Sequence, residues 1–460
     1  MNVKHHVRVL LAVALTATLS AQQPKRPPRP RAVGPLVRIP SPVAGKEGIV
    51  VRVAVPKQPR FEDGAPVVVH VPGGWSRAGL DSSPGNLAPF GFVEVMFAFP
   101  GGQSATQSDG KVWKSGGTYD YRGEDCVEGL AAVISFAQGG LKTLDGQSIQ
   151  QVAGVVPVSS NNVGVIGWSL GGNIVSAALA HSAKAAAGVK WYASHESPYG
   201  DGVINGEFGT RGTGPNPFYD PDTERFDLSN LAYDSGLAPG RIPRTQDPVG
   251  DVTGSLYHDA NGDGRYDPDT DYQLNGILIP GPRPNVFYSR LVTVAAARQK
   301  VFGESWPAHI AKTERVEKVH AIRDGVTSVP QAVKNAPDLA VIIWAVEQDH
   351  VQATKDHRHI RLQYDAYREA GVRWARVNPD ANYLEWAFGK KLSRRVQNPA
   401  GQPLDSQSIR QAVEPSVRDG GAPTGRGLAA AASELADRTQ RDEWAPTLDG
   451  VLYPDAQRPR

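Results

Sequence analysis

Seven short apolar runs, separated by stretches with helical spacing, limit what this chain can fold into more than any other feature. Residues 49–55 (IVVRVAV), 66–71 (PVVVHV), 92–99 (FVEVMFAF), 163–166, 189–193, 339–345 (LAVIIWA) and 372–377 read as strands. They are almost continuously apolar, without the alternation of a sheet that faces water on one side. Strands of that kind are buried on both faces. Between them, Val127, Leu130, Ala131 and Ile134 fall at i, i+3, i+4 and i+7, which predicts a helix over 123–138. Residues 173–181 and 355–370 read as further helices, the second capped by Gly371. The expected fold is α/β, a mostly parallel, doubly wound sheet with helices on both faces. In such sheets function collects at the carboxyl ends of the strands.

More than a hundred residues separate the run ending at Ala193 from the one starting at Leu339. A single crossover helix does not need that length. An insertion is expected there, a cap over about residues 198–305.

The ends of the chain differ from its body, which is expected over 46–390. Residues 1–21 have a basic start (Lys4, His5, His6, Arg8), an apolar run from Val9 to Leu19, and the small residues Ser20 and Ala21. This predicts a secretory signal, too short for a stable membrane span, and a secreted or periplasmic protein. Residues 22–45 are rich in Pro and Arg and read as an extended linker. Residues 391–460 read as a polar, peripheral extension with one helix near 428–438. Cys126 is the only cysteine, so an internal disulfide, a cysteine metal cluster and a lipid-bearing cysteine are all excluded. A formal net charge of +2, with both signs spread along the chain, gives no reason to expect a nucleic-acid partner. No organic cofactor is expected, and the oligomeric state is not legible.

Residues 163–172 read VGVIGWSLGG. Gly167-Trp168-Ser169-Leu170-Gly171 is a G-x-S-x-G motif between a strand and a helix. The turn is sharp, so small residues are required at 167 and 171. It lifts the Ser169 hydroxyl to the top of the sheet and leaves the Leu170 amide at a helix N-terminus, where it can stabilise an oxyanion. Upstream, His70-Val71-Pro72-Gly73-Gly74-Trp75 follows a strand. An amide from Gly73, Gly74 or Trp75 would be the second oxyanion donor.

With these two motifs the chain resembles the α/β-hydrolase superfamily over about residues 48–390, nearest its secreted esterase and dienelactone-hydrolase-like or peptidase-like branches. The resemblance implies a serine hydrolase acting on an ester, lactone or peptide-like acyl bond of a small-molecule or peptide-like substrate. It places the cap between the sixth and seventh core strands. It also places the acid in 345–351 (AVEQDHV), at Asp349.

The family's histidine, which follows the last strand, is missing. The loop after residue 377 reads NPDANY, and no histidine follows His359. A serine hydroxyl needs a base to take its proton. Asp380 holds the approximate place of that base. His195 (beside Glu196), His350 and His357 are the possible substitutes. Two readings stay open: a relocated histidine serving Ser169, or a catalytically impaired protein that binds on the same scaffold.

One further motif lies in the expected cap. Residues 259–271 read DANGDGRYDPDTD. Asp259, Asn261, Asp263 and Asp267, with Gly264 at the sixth place and the Arg265 carbonyl next, match the start of an EF-hand-like loop. The twelfth place is Thr270, so Asp269 or Asp271 must complete the set. A structural Ca²⁺ is expected. The aromatic and acidic stretch 216–222 reads as a cap loop.

Overall fold

The computed structural model describes residues 34–81, 85–200, 205–210, 214–238, 252–279, 285–347, 349–352, 354–389 and 423–445. The expected signal segment, half of the linker (residues 22–33) and much of the C-terminal extension lie outside these.

Eight core strands form one sheet: β1 Leu36–Ser41, β2 Gly45–Ala54, β3 Ala65–Val71, β4 Val93–Phe97, β5 Val158–Trp168, β6 Val189–His195, β7 Ala340–Trp344 and β8 Trp374–Val377. Their order is β1-β2-β4-β3-β5-β6-β7-β8. β1 and β2 run antiparallel at one edge, and every pair from β4 to β8 is parallel. This order, with a sharp turn after the fifth strand, is that of the α/β-hydrolase fold. Central strands such as β3 and β7 are buried along their whole length, as their largely apolar sequences require.

Helices α1 Glu124–Ala137, α2 Leu170–His181 and α3 Arg358–Glu369 pack on one face, together with the short helix Val329–Asn335. α4 Ala381–Phe388 follows β8. The opposite face is covered by α5 Pro423–Arg441. Leu428, Ala432 and Leu435 of α5 lie against Val68, Ile166, Trp191 and Ile342. The C-terminal extension is therefore not peripheral throughout, because α5 supplies half of a core layer. Its alanines let it sit close to the sheet, and a Cβ on Gly427 would lie 2.0 Å from Trp344. Buried ion pairs fix it further. Glu434 takes Arg376 and Arg438, and Asp437 takes Arg60 at 2.6 Å and the Tyr383 hydroxyl at 2.8 Å.

A second correction concerns the N-terminal side. Residues 36–41, expected within the linker, form the edge strand β1, where Pro40 costs no central ladder bond.

The insertion between β6 and β7 has a small core of its own. Leu231, Leu256, Leu278, Val286, Val292 and Ile310 meet there, so it runs past the expected boundary at 305. Short antiparallel pairs build it, including Leu231–Asp234 against Ser255–His258. The insertion reaches the loop after β7 through the Tyr219 hydroxyl, which donates to Asp356 at 2.7 Å.

Glu207, fully buried in this insertion, accepts from the Ser289 amide at 2.7 Å. Burial pushes its carboxyl up to about 8, against the opposing effect of the Ser289 bonds. The folded state thus holds a proton more tightly than the unfolded chain. That stability is fully present below the ordinary glutamate value and is lost as pH rises towards about 8. Glu207→Gln is expected to match the wild type at pH 4 and to exceed it by about 1–3 kcal/mol at pH 9, read from denaturant midpoints. Parallel pH profiles would contradict this.

Candidate active site

Ser169 stands between β5 and α2 with φ 50° and ψ −131°, a backbone region that non-glycine residues rarely adopt. The strain is imposed from both sides. Its amide donates to the His195 carbonyl at 2.8 Å, and its carbonyl accepts from Gly172 at 2.8 Å. A Cβ on Gly167 would lie 2.5 Å from Gly172, and one on Gly171 2.6 Å from the Val71 carbonyl. The turn closes only with hydrogen at those places. The Ser169 side chain is half-buried at the strand ends.

The Gly73–Gly74 turn lies against this elbow. A Cβ on Gly73 would come within 2.6 Å of the Trp168 carbonyl and 3.2 Å of the Ser169 Cβ. Among the described residues, the amides of Gly73, Gly74, Trp75 and Leu170 have no acceptor. Two sets of free donors therefore flank Ser169, as the two motifs require.

A residue the motifs did not indicate orders this turn. Arg122, fully buried, donates to the carbonyls of Pro72 (2.7 Å), Gly74 (3.1 Å) and Ser76 (2.9 Å), and its guanidinium lies 4.1 Å from the Phe99 ring centre. With those carbonyls drawn to one side, the turn is fixed in one form. Residues 121 and 122 both have positive φ, at 55° and 67°. A buried arginine just before a helix was the available signal.

The candidate bases fall into two groups. Trp168, His195 and Trp344 are in register across β5, β6 and β7. His195 is thus at the strand tip beside the elbow, and His350 lies six residues beyond the tip of β7. Their rings stack with centres 6.0 Å apart. Between them Glu196, buried and at φ 41°, bonds His350 Nδ1 and lies 3.4 Å from His195 Nε2. His195 Nδ1 is 3.2 Å from the Trp344 carbonyl, which makes it the protonated nitrogen. Burial pushes the His195 imidazolium down, outweighing the raising effect of Glu196.

Asp349 belongs to the other group. Its carboxylate meets His359 Nε2 at 2.7 Å and His357 Nδ1 at 3.9 Å, and it accepts from the Val351 amide at 2.6 Å. Burial alone would raise this carboxyl; the His359 charge and the bonds from His357 and His359 outweigh it and hold it well below the usual range. Asp349 therefore does not orient His350, its neighbour in sequence; Glu196 does. His359, whose other nitrogen meets Gln352 at 3.1 Å, is a partner the sequence reading did not single out. Asp380, at the place of the missing base, caps α4 by accepting from Asn382. The Ser169 hydroxyl makes no hydrogen bond among the described residues.

In the loop 259–271, Asp259 accepts from Gly262 and Gly264, each at 2.8 Å. Asp271 accepts from Ala260 (2.9 Å) and Asp267 (2.8 Å), and Asp263 accepts from Arg265 (2.8 Å). Asn261 accepts from Asp263 at 3.0 Å. Asp259 and Asp271 are buried at its base. The carboxylates are turned to the loop's own amides. Among the described residues, the group of three or more His, Cys, Asp or Glu ligand atoms lying within 4.8 Å of one another is His195, Glu196 and His350.

No family model matches the chain, and no curated protein matches it. Solved structures that resemble it include a fungal esterase from Rhizomucor miehei, 11% identical over 89% of this chain and 85% of that one, TM-score 0.38. A thermostable esterase from Pseudomonas putida is 11% identical over 90% and 84%, TM-score 0.37. Carboxyl esterase 2 from Tuber melanosporum is 11% identical over 74% and 75%, TM-score 0.35. The fold assignment rests on the strand order and the elbow.

Arg122→Lys keeps a charge but not the planar fork. It is expected to lower the unfolding free energy by about 1–3 kcal/mol, measured by denaturant titration. An unchanged midpoint would mean that the turn does not depend on Arg122.

Proposed function

We propose that this chain is an exported serine hydrolase of ester or peptide-like acyl bonds, with Ser169 as nucleophile and His350, oriented by Glu196, as its base. The observation that carries the reading is the strained elbow, with unpartnered amides on both sides of Ser169 and an imidazole–carboxylate pair at the neighbouring strand tips. With Nδ1–H given to Glu196, His350 offers the lone pair of Nε2. Ser169 Oγ bonds the acyl carbon while its proton passes to Nε2. The amides of Leu170 and of Gly74 or Trp75 hold the oxyanion. His350 then returns the proton to the leaving group as the acyl–leaving-group bond breaks. Water repeats the sequence to free the acid and Ser169. Asp349, paired with His357 and His359, steadies the loop that carries His350.

A fluorophosphonate probe on the full chain tests this. Labelling is expected at Ser169 and is abolished by Ser169→Ala. His350→Ala is expected to slow it about 10²–10⁴-fold, and Glu196→Gln by a smaller factor, whereas Asp349→Asn stays within about tenfold of the wild type. Folded wild type that never labels would instead support the rival reading, a binding protein on this scaffold. That rival is favoured by the absence of a hydrogen bond on the Ser169 hydroxyl.

We also propose that loop 259–271 binds a structural Ca²⁺ through Asp259, Asn261, Asp263, the Arg265 carbonyl, Asp267 and Asp271. The set is all oxygen, as a hard cation prefers, and each carboxylate oxygen that accepts one amide keeps a further lone pair. The ion would screen four mutually repelling carboxylates. Chelation is expected to lower the melting midpoint by several degrees, and Asp259→Asn to remove that dependence. A midpoint indifferent to chelator would refute the calcium site.

A further inference from the structure

The contact between His195 and Glu196 poses a problem of its own. His195 Nδ1 spends its proton on the Trp344 carbonyl at 3.2 Å. Its Nε2 then presents a lone pair to the Glu196 carboxylate at 3.4 Å, with both side chains almost fully buried. Two lone pairs facing each other in a dry environment repel, unless a cation lies between them. The second Glu196 oxygen, Oε1, is also buried and has no hydrogen-bond partner among the described residues. His350 adds its Nδ1 to the same carboxylate. The three ligand atoms lie within 4.8 Å of one another.

We propose that His195 Nε2, Glu196 and His350 Nδ1 form a binding site for a divalent transition-metal ion of the zinc class, and that the ion inhibits the hydrolase. Two imidazoles and one carboxylate suit Zn²⁺, with a fourth position left for water. Bonds of about 2.0–2.2 Å at a tetrahedral angle separate neighbouring ligand atoms by about 3.4 Å, which matches the His195–Glu196 distance, while His350 Nδ1, hydrogen-bonded directly to Glu196, must draw back from it to join the ion. Calcium, which takes oxygen ligands, is not suited to the site. Entry of the ion displaces the proton shared by Glu196 and His350, and that proton leaves to solvent. Glu196 and His350 Nδ1 are then committed to the metal, and the hydrogen bond that orients His350 is broken. The inhibition rests on His350 being the base of Ser169; the binding does not.

Zinc titrated into chelator-treated full chain, at constant calcium and against a chromophoric zinc indicator, tests the binding. One site of micromolar affinity or tighter is expected. His195→Asn, His350→Asn and Glu196→Gln should each weaken it at least tenfold, with folding verified by circular dichroism. Ser169→Ala and Asp349→Asn should leave it intact. An affinity and stoichiometry unchanged in the three ligand variants, or no micromolar site in the wild type, would overturn the proposal. In a second arm, saturating zinc should slow fluorophosphonate labelling of Ser169 at least tenfold, reversed by chelator. Unslowed labelling of the zinc-loaded chain would overturn the inhibitory part. Because the titration needs no turnover, a chain that never labels still reports on the metal, so failure of the hydrolase reading is distinguishable from failure of this one.

Discussion

Between Val71 and Gly172 the backbone comes so close to itself that side chains are excluded at Gly73, Gly167 and Gly171. The rest of the site depends on that closeness. It forces Ser169 into a strained conformation and presses the turn after β3 against the elbow after β5. It also leaves amides on both sides unpaired. Strain of this kind persists only where the surroundings over-determine it. Here the surroundings are the β5–β6 ladder, the first turn of α2 and the Arg122 fork behind the Gly73–Gly74 turn. The hydroxyl and its donors are thus set by main chain on rigid elements.

The imidazole is organised differently. His350 after β7 and Glu196 after β6 form a pair near the elbow, from chain segments 154 residues apart. Asp349 keeps its expected place in sequence, yet its side chain turns to His359 on α3. A buried aspartate held by two histidines makes the loop after β7 a fixed platform, and the insertion is tied to that platform through Tyr219 and Asp356.

The central strands were legible because burial on both faces leaves mostly apolar residues, and the elbow and its facing turn were legible because their constraints are local. The parts that escaped depend on distant partners. Glu434, Asp437 and Arg438 lie in the stretch expected as a polar, peripheral extension, but they meet Arg376, Arg60 and each other beneath the surface. The buried side of α5 is mostly alanine, which carries a weak hydrophobic signal. The pairing of Glu196 with His350 follows from strand order, which no local spacing encodes. The spacing of 259–271 read as a set of oxygen ligands, and it did not foretell that the carboxylates would turn to the loop's own amides.

The position of α5 in the chain bears on biogenesis. It is the last described element to leave the ribosome, yet it covers Val68, Ile166, Trp191 and Ile342, and Asp437 closes on Arg60 from 377 residues away. Until it emerges, that apolar sheet face lacks its cover and the Arg60 guanidinium lacks the Asp437 carboxylate. The second face of the sheet is therefore completed only once α5 is present.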